Sequence, residues 1–375
     1  MKAPDLSFSK LDFAQTPFLV IWEVTQACDL VCRHCRASAM PDRCPDELTT
    51  KEGYRLLEEI EVMGTPVVVL SGGDPLKRPD LLELIRYGTE LGLRMATIPA
   101  ATARITPELL AELKQAGVAQ IAFSLDGSSE TLHDGFRQVP GTYRTTLQAI
   151  EWAHQVDLPV QINTTYSQYN LSDADAMMEL VSWLDIVFWE VFILVPVGRG
   201  MELEGLTAEE CEGLLTKLYH RATRSRFLLK VTEAPHYRRI VMQNRAASPH
   251  TVDADAGSAI PAQLAGGMGP ANAFGRNAKG INAAKGFCFV SHTGEVFPSG
   301  FLPISAGSVR SSSLSSLYRD SELFRELRDP SQLKGRCGRC EFREICGGSR
   351  SRAYALTGDM LAEDPVCLYE PQGKT

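Results

Sequence analysis

Glu23-Val-Thr-Gln-Ala-Cys28-Asp-Leu-Val-Cys32-Arg-His-Cys35 puts three thiols on a loop directly behind an apolar run. Residues 18–24 are short, β-branched and aromatic and follow Pro17, so they read as a buried strand. Cysteines separated by three and then two residues, just past a strand end, suit an iron–sulfur cluster or a zinc ion. On a four-iron cluster, three protein ligands leave one iron open for chemistry. As a zinc knuckle, the loop would borrow His34 or Cys44 as its fourth ligand.

The 375-residue chain is long enough for a barrel of about 200 residues plus an appendage. Its hydrophobic fraction of 44% supports a sizeable core. A net charge of −8 argues against a general nucleic-acid binder, which needs a basic excess to displace counterions. Met1-Lys-Ala-Pro-Asp-Leu lacks the apolar core of a signal peptide, and no run approaches a membrane span. A cytoplasmic protein with no membrane association is therefore expected, in which ten cysteines do not serve disulfides. Seven of them fall into two tight groups, 28/32/35 and 337/340/346/367, which points to metal binding.

Outward from the cysteine loop, strands and helices alternate. Thr49 and Glu52 form a capping box for a helix over 50–63, whose apolar face is Leu56, Leu57, Ile60 and Met63. Strands are predicted at 66–70, 94–98, 118–125, 159–165 and 186–195, and helices at 80–91, 106–116, 142–156, 171–184 and 207–223. Such alternation predicts a parallel α/β fold with helical crossovers. Ser71-Gly72-Gly73-Asp74-Pro75, Ser124 with Asp126, Asn163 and Pro196-Val-Gly198-Arg199-Gly200 each fall at the end of a strand. In a parallel barrel those ends share one rim with the cysteines.

Composition changes over 243–286, where Ala, Gly, Asn and Pro dominate; a flexible linker, an insertion or a substrate-ordered loop is expected. Residues 287–290 and 295–297 flank Ser291-His-Thr-Gly294, a hairpin signal, and 319–327 looks helical. Cys337-Gly-Arg-Cys340, Cys346 and Cys367 then offer four thiolates, for which ligand type alone does not separate zinc from [4Fe–4S].

Taken together, the three-cysteine loop after the first strand and Gly-Gly-Asp-Pro after the second resemble the radical S-adenosylmethionine (radical SAM) enzymes. The C-terminal cysteines resemble that family's SPASM/Twitch-type auxiliary domain, and the likeness spans roughly residues 16–370. It implies an α/β fold, a partial (β/α)6 TIM-type barrel with a small C-terminal iron–sulfur domain. The implied division is an N-terminal extension (1–16), the barrel (17–225), a bridging and flexible segment (226–286) and the auxiliary domain (287–375). A [4Fe–4S] cluster on Cys28, Cys32 and Cys35 would bind SAM through its open iron. Gly72, Gly73, Asp74, Pro75, Ser124, Asp126, Asn163 and Val195 are the implied SAM contacts, and Cys337, Cys340, Cys346 and Cys367 would ligate one auxiliary [4Fe–4S] cluster. Asp74 stands where the family usually has Glu, and His34 where an aromatic residue is frequent. An electron donor such as flavodoxin or ferredoxin is the implied partner.

Cys346-Gly-Gly-Ser-Arg-Ser-Arg and the residues after it look closest to the haem-biosynthesis group, which decarboxylates or removes carboxylated side chains of tetrapyrroles. Ser349 departs from the Cys frequent there. Arg336, Arg339, Arg343, Arg350 and Arg352 could fork substrate carboxylates. His236, Tyr237 and Arg238 are expected over the barrel mouth, with His292 and Tyr354 as weaker candidates, and Cys288 as a packed strand residue, a hydrogen donor or an alternative cluster ligand. The alternatives are a maturase that cross-links, epimerises or oxidises a ribosomally made peptide, and a non-enzymatic iron–sulfur electron carrier.

Overall fold

The computed structural model describes residues 11–247 and 280–372. Most of the 243–286 segment, and residues 1–10 of the expected N-terminal extension, lie outside the described residues.

β1 (Leu19–Thr25) forms where the apolar run predicts, with Val20, Trp22 and Val24 fully buried. β2 (Val67–Gly72), β3 (Arg94–Thr97), β4 (Gln120–Ser124), β5 (Val160–Tyr166), β6 (Phe188–Ile193) and β7 (Leu228–Thr232) each pair in parallel with the strand before. The crossovers are α1 (Thr50–Val62), α2 (Leu81–Glu90), α3 (Pro107–Ala116), α4 (Glu130–Arg137), α5 (Thr142–Gln155), α6 (Ala174–Trp183) and α7 (Ala208–Ala222). Apart from α4, whose Phe136 packs with Leu194 and Leu203 in a separate cluster, their apolar faces join the strands in one core. The six-fold alternation is the predicted partial barrel.

Local chemistry explains the elements. At α1 the capping box is present: Glu52 N–H donates to Thr49 Oγ1 at 3.3 Å, and Thr49 N–H to Glu52 Oε2 at 2.7 Å. Gly53 lets this helix lie on the sheet, since a Cβ there would stand 2.6 Å from the Trp22 ring and 2.9 Å from Leu84. Thr106 caps α3, Pro107 occupies its first position, and Gly117 ends it at φ +105°.

The sheet is longer than the alternation predicts. β8 (Phe287–Val290) pairs in parallel with the free side of β1, Leu19 opposite Phe287. β9 (Glu295–Phe297) returns antiparallel through the predicted hairpin, and β10 (Gly307–Ser308) follows. The order is β10-β9-β8-β1-β2-β3-β4-β5-β6-β7, so the residues expected to open the C-terminal domain extend the barrel's own sheet. β7 and β10 are its edges, and the barrel stays open between them. α8 (Tyr237–Ala247) follows β7. The single helix expected at 319–327 is two, Leu314–Asp320 and Glu322–Arg328. Ser321 at ψ 137° breaks the run, and its Oγ caps the second helix at Phe324 N–H. No helix among the described residues is long and apolar enough to cross a membrane.

Candidate active site

The lumen of the open barrel holds a cavity of about 830 Å³. Cys28, Cys32, Cys35, His34, Gly72, Gly73, Ser124, Asn163 and Val195 all line it, so the rim motifs converge as their strand-end positions predict. Asp74, Pro75 and Asp126 are not part of the lining.

Every sulfur of the loop meets a donor. Leu30 N–H points to Cys28 Sγ at 3.3 Å, Ala39 N–H to Cys35 Sγ at 3.4 Å, and Arg137 Nη1 to Cys32 Sγ at 3.5 Å. Such donors stabilise thiolates and set the potential of a bound cluster. Burial pushes the Cys28 thiol up to about 12 and raises that of Cys32 as well. Among the described residues no three His, Cys, Asp or Glu side chains are gathered as a single metal ion would gather them. Three thiols on one loop, each with its own hydrogen-bond donor, are the ligand type that a [4Fe–4S] cluster takes.

The glycines act first on the loop itself. A Cβ on Gly73 would stand 2.5 Å from Gln26 O, and one on Gly72 would overlap Thr25 O. Gly73 N–H and Asp74 N–H bind Thr25 O and Ala27 O at 2.9 and 2.7 Å. Absence of side chains therefore allows the second rim turn to press against the first. Asp74 is fully buried, and its Oδ1 accepts from Leu76 and Ala100 N–H at 3.1 and 3.2 Å. Its Oδ2 has no partner, an acceptor of the kind an ammonium group satisfies, and burial pushes its pKa up to about 6. On the far side, Arg199 clamps the loop through Cys32 O and Ala39 O at 2.9 and 3.0 Å.

Asp126 works through an arginine that the sequence reading did not single out. Arg137, at the end of α4, donates to both Cys32 Sγ and Asp126 Oδ2, while Thr165 N–H holds Asp126 Oδ1 at 2.7 Å. His34 stacks on Phe136 at 4.2 Å and 12°, and Phe136 stacks on Tyr169 at 5.2 Å. Burial pushes His34 down to about 3, so the ring is neutral and serves as the flat group expected there. Deeper in the lumen, Gln120 donates to Gln161 at 2.6 Å, Gln161 to Asn163 at 2.7 Å, and Lys230 to Glu190 at 2.7 Å.

The four C-terminal cysteines line a second, smaller pocket. Each sulfur meets a backbone N–H: Asp364 at Cys337, Phe342 at Cys340, Gly348 at Cys346 and Tyr369 at Cys367. That donor set suits a fully ligated cluster. Glu344 and Ile345 line the large cavity and Cys346 the small one, so this segment is the wall between them.

Several expected substrate contacts are placed elsewhere. His236 is 1% exposed beside the small pocket, with Nε2 3.5 Å from Cys211 Sγ and Nδ1 3.9 Å from Asp364. Burial pushes it down to about 4. Tyr237 and Arg238 do line the cavity, but the Arg238 guanidinium is committed to the carbonyls of Ile345 and Ile281. Tyr354 packs on the core, and His292 Nδ1 pairs with Glu23 at 2.8 Å; neither lines the cavity. None of the five C-terminal arginines does so either. Arg350 is buried against Met360 O, Ala362 O and Cys337 Sγ, and Arg352 against Asp364 and β6. Arg336 pairs with Glu363 and Glu370, and Arg339 also reaches Glu370, at 3.8 Å. Arg343 binds Gly338 O. These arginines tie down the thiol-bearing segment, because charges beside thiols are cheaper to bury when backbone carbonyls receive them. Ser349 joins that scaffold, donating to Glu233 and capping the helix Arg350–Thr357.

Cys288 is fully buried in the core, whereas its β8 neighbours Phe287 and Phe289 line the cavity. Strand alternation turns its thiol away from the lumen. Cys288→Ala should lower stability by about 1 kcal/mol, from the small volume lost. Iron content and SAM cleavage should match the parent protein; loss of either would return Cys288 to the site.

The radical SAM superfamily model matches residues 22–181. The chain is 41% identical over 358 residues to the AdoMet-dependent heme synthase of Methanosarcina barkeri, covering 96% of this chain and 98% of that protein. It is 30% identical to the PqqA peptide cyclase of Bradyrhizobium diazoefficiens, over 96% and 88% of the two chains. In fold it is similar to Streptococcus suis SuiB bound to S-adenosylmethionine, with TM-score 0.68 at 15% identity, over 95% of this chain and 78% of that one.

Proposed function

This chain belongs to the radical SAM superfamily, and we propose that it makes haem by oxidatively decarboxylating side chains of a carboxylated tetrapyrrole. Family membership brings a SAM-binding [4Fe–4S] cluster and makes the protein an enzyme. Cys28, Cys32 and Cys35 hold that cluster, and Gly72, Gly73, Ser124, Asn163 and Val195 border the space left for SAM. When bound, the cluster supplies the electron that splits SAM into methionine and a 5′-deoxyadenosyl radical. An auxiliary cluster on Cys337, Cys340, Cys346 and Cys367, when bound, supplies an acceptor for the electron that the substrate gives up. The protein's own task is to hold the side chain at the rim and to keep water out. By function, the SAM barrel runs from β1 to β7, the hairpin of β8 and β9 extends its sheet, and the segment bearing Cys337 to Cys367 is the auxiliary region, with flavodoxin or ferredoxin as electron source.

The observation that carries the tetrapyrrole reading is charge. Among the described residues, eight Lys and Arg side chains but three carboxylates line the cavity, in a chain of net charge −8. Such a cavity concentrates anions, and a polycarboxylated macrocycle is one. The balance of the step is simple. A propionate gives one hydrogen atom to the 5′-deoxyadenosyl radical, then loses carbon dioxide and one electron, and becomes a vinyl group.

Reconstituted protein with SAM, dithionite and iron coproporphyrin should yield product lighter by carbon dioxide and two hydrogens per side chain. Unchanged porphyrin, with methionine and 5′-deoxyadenosine still released, would move the reading to a peptide maturase, for which the peptide cyclase relative is the supporting observation.

A further inference from the structure

We propose that the chain poises its two clusters at different potentials through one arginine at each. Arg137 beside Cys32 is neutralised by Asp126, whereas Arg350 beside Cys337 keeps its charge, so the C-terminal site is the better electron acceptor. The inference rests on the reading that both thiol sets hold [4Fe–4S] clusters.

Reducing a cluster adds negative charge, which a nearby cation favours and a nearby anion opposes. In each thiol group one sulfur meets a guanidinium. Arg137 Nη1 lies 3.5 Å from Cys32 Sγ, and Arg350 Nη2 lies 3.8 Å from Cys337 Sγ. The other sulfurs meet backbone N–H groups, which carry no net charge. The approach of Arg350 is built into the backbone. Gly348 sits at φ +67°, and a Cβ there would stand 2.6 Å from Arg350 Nη2 and 3.1 Å from Cys337 Sγ.

What holds the two arginines differs. Arg137 Nη2 donates to Asp126 Oδ2, and that carboxylate is buried, with Thr165 N–H on its Oδ1 at 2.7 Å. As a unit the pair is neutral. Arg350 is equally buried, but oxygens without formal charge receive it: Nη1 donates to Met360 O and Ala362 O at 2.9 and 2.7 Å, and Nε to Gly348 O at 3.3 Å. The acids that line the small pocket, Glu363 and Asp364, are each taken by another arginine, Arg336 at 3.0 Å and Arg352 at 3.4 Å. Arg199 also lies against the first loop, but it addresses the carbonyls of Cys32 and Ala39, and the buried Asp74 near Cys28 offsets it. These residues keep the loop site reducing, as SAM cleavage demands, and the C-terminal site accepting. Ile345 lines the substrate cavity one residue before Cys346, so the accepting site stands where the substrate's electron is released.

The test is a potentiometric titration of the reconstituted full-length protein followed by EPR, in which the signal that changes on adding SAM identifies the loop cluster. In the parent the C-terminal cluster should be reduced first. Arg350→Gln should lower its reduction equilibrium constant by roughly tenfold, about 59 mV for one electron, and leave the loop cluster unmoved. Arg350→Lys, which keeps the charge, should recover part of that shift. Asp126→Asn leaves the C-terminal scaffold untouched and should raise the loop potential, whereas Arg137→Gln should lower it, opposite signs that a merely structural role would not give. A loop cluster reduced first in the parent overturns the inference. So does an unchanged C-terminal potential in Arg350→Gln of full iron content, or a shift of one sign in both Asp126→Asn and Arg137→Gln. A parent protein that takes up iron for one cluster alone overturns the auxiliary-cluster reading itself, and the inference with it.

Discussion

Cys28→Ala is expected to stop SAM cleavage, with 5′-deoxyadenosine formation down at least about a thousand-fold, or ~4 kcal/mol of barrier. The same holds for Cys32 and Cys35. Each sulfur has its own donor, Leu30 N–H, Arg137 or Ala39 N–H, and among the described residues no fourth thiol lines the cavity to replace it. Iron per chain should fall to about half, because the C-terminal thiols form a separate pocket. Cys340→Ala gives the complementary result: iron again falls, 5′-deoxyadenosine is still released, and porphyrin turnover stops. Full cleavage activity in Cys28→Ala would remove the loop from the chemistry.

Arg352→Leu is expected to cost about 3–5 kcal/mol of stability, measured by denaturant unfolding of the protein. Arg352 and Asp364 are 1% and 0% exposed, with Nη1 3.4 Å from both carboxylate oxygens. Nη2 reaches Ile193 O and Leu194 O at the end of β6, so this one side chain docks the auxiliary segment onto the barrel. Removing it leaves a buried carboxylate without its counter-charge, held by Ser349 and Val366 N–H alone, and takes the Arg352 donor from two carbonyls. Arg352→Lys should recover only part, since an ammonium cannot fork to both surfaces. Adding Asp364→Asn to Arg352→Leu should cost less than the sum of the single changes, because the stranded charge is gone. A loss under about 1 kcal/mol would show the pair to be dispensable.

Much of the site was legible because its chemistry lies in short runs at strand ends. The three cysteines, Gly72-Gly73, Ser124, Asn163 and Val195 needed only an element boundary to be placed, and the lumen gathers them. What escaped reading lacked such a marker. α4 has eight residues, with only His133 and Phe136 buried, so its periodicity is faint and Arg137 went unseen. β7 reads Leu-Leu-Lys-Val-Thr, and Lys230, which turns inward to Glu190, interrupts the apolar run. Arg350 and Arg352 were misplaced because spacing does not reveal burial, and the carbonyls that receive them come from distant segments. Cys288 differs from its lumen-facing neighbours only by strand parity, which a register one residue away would reverse.

The most direct test follows deuterium. Iron coproporphyrin labelled at the side-chain carbon next to the ring is incubated with the reconstituted protein, SAM and reductant. The predicted result is deuterium in the released 5′-deoxyadenosine, in step with carbon dioxide lost from the porphyrin. Unlabelled 5′-deoxyadenosine alongside decarboxylated porphyrin, or labelled porphyrin recovered whole, would contradict the account.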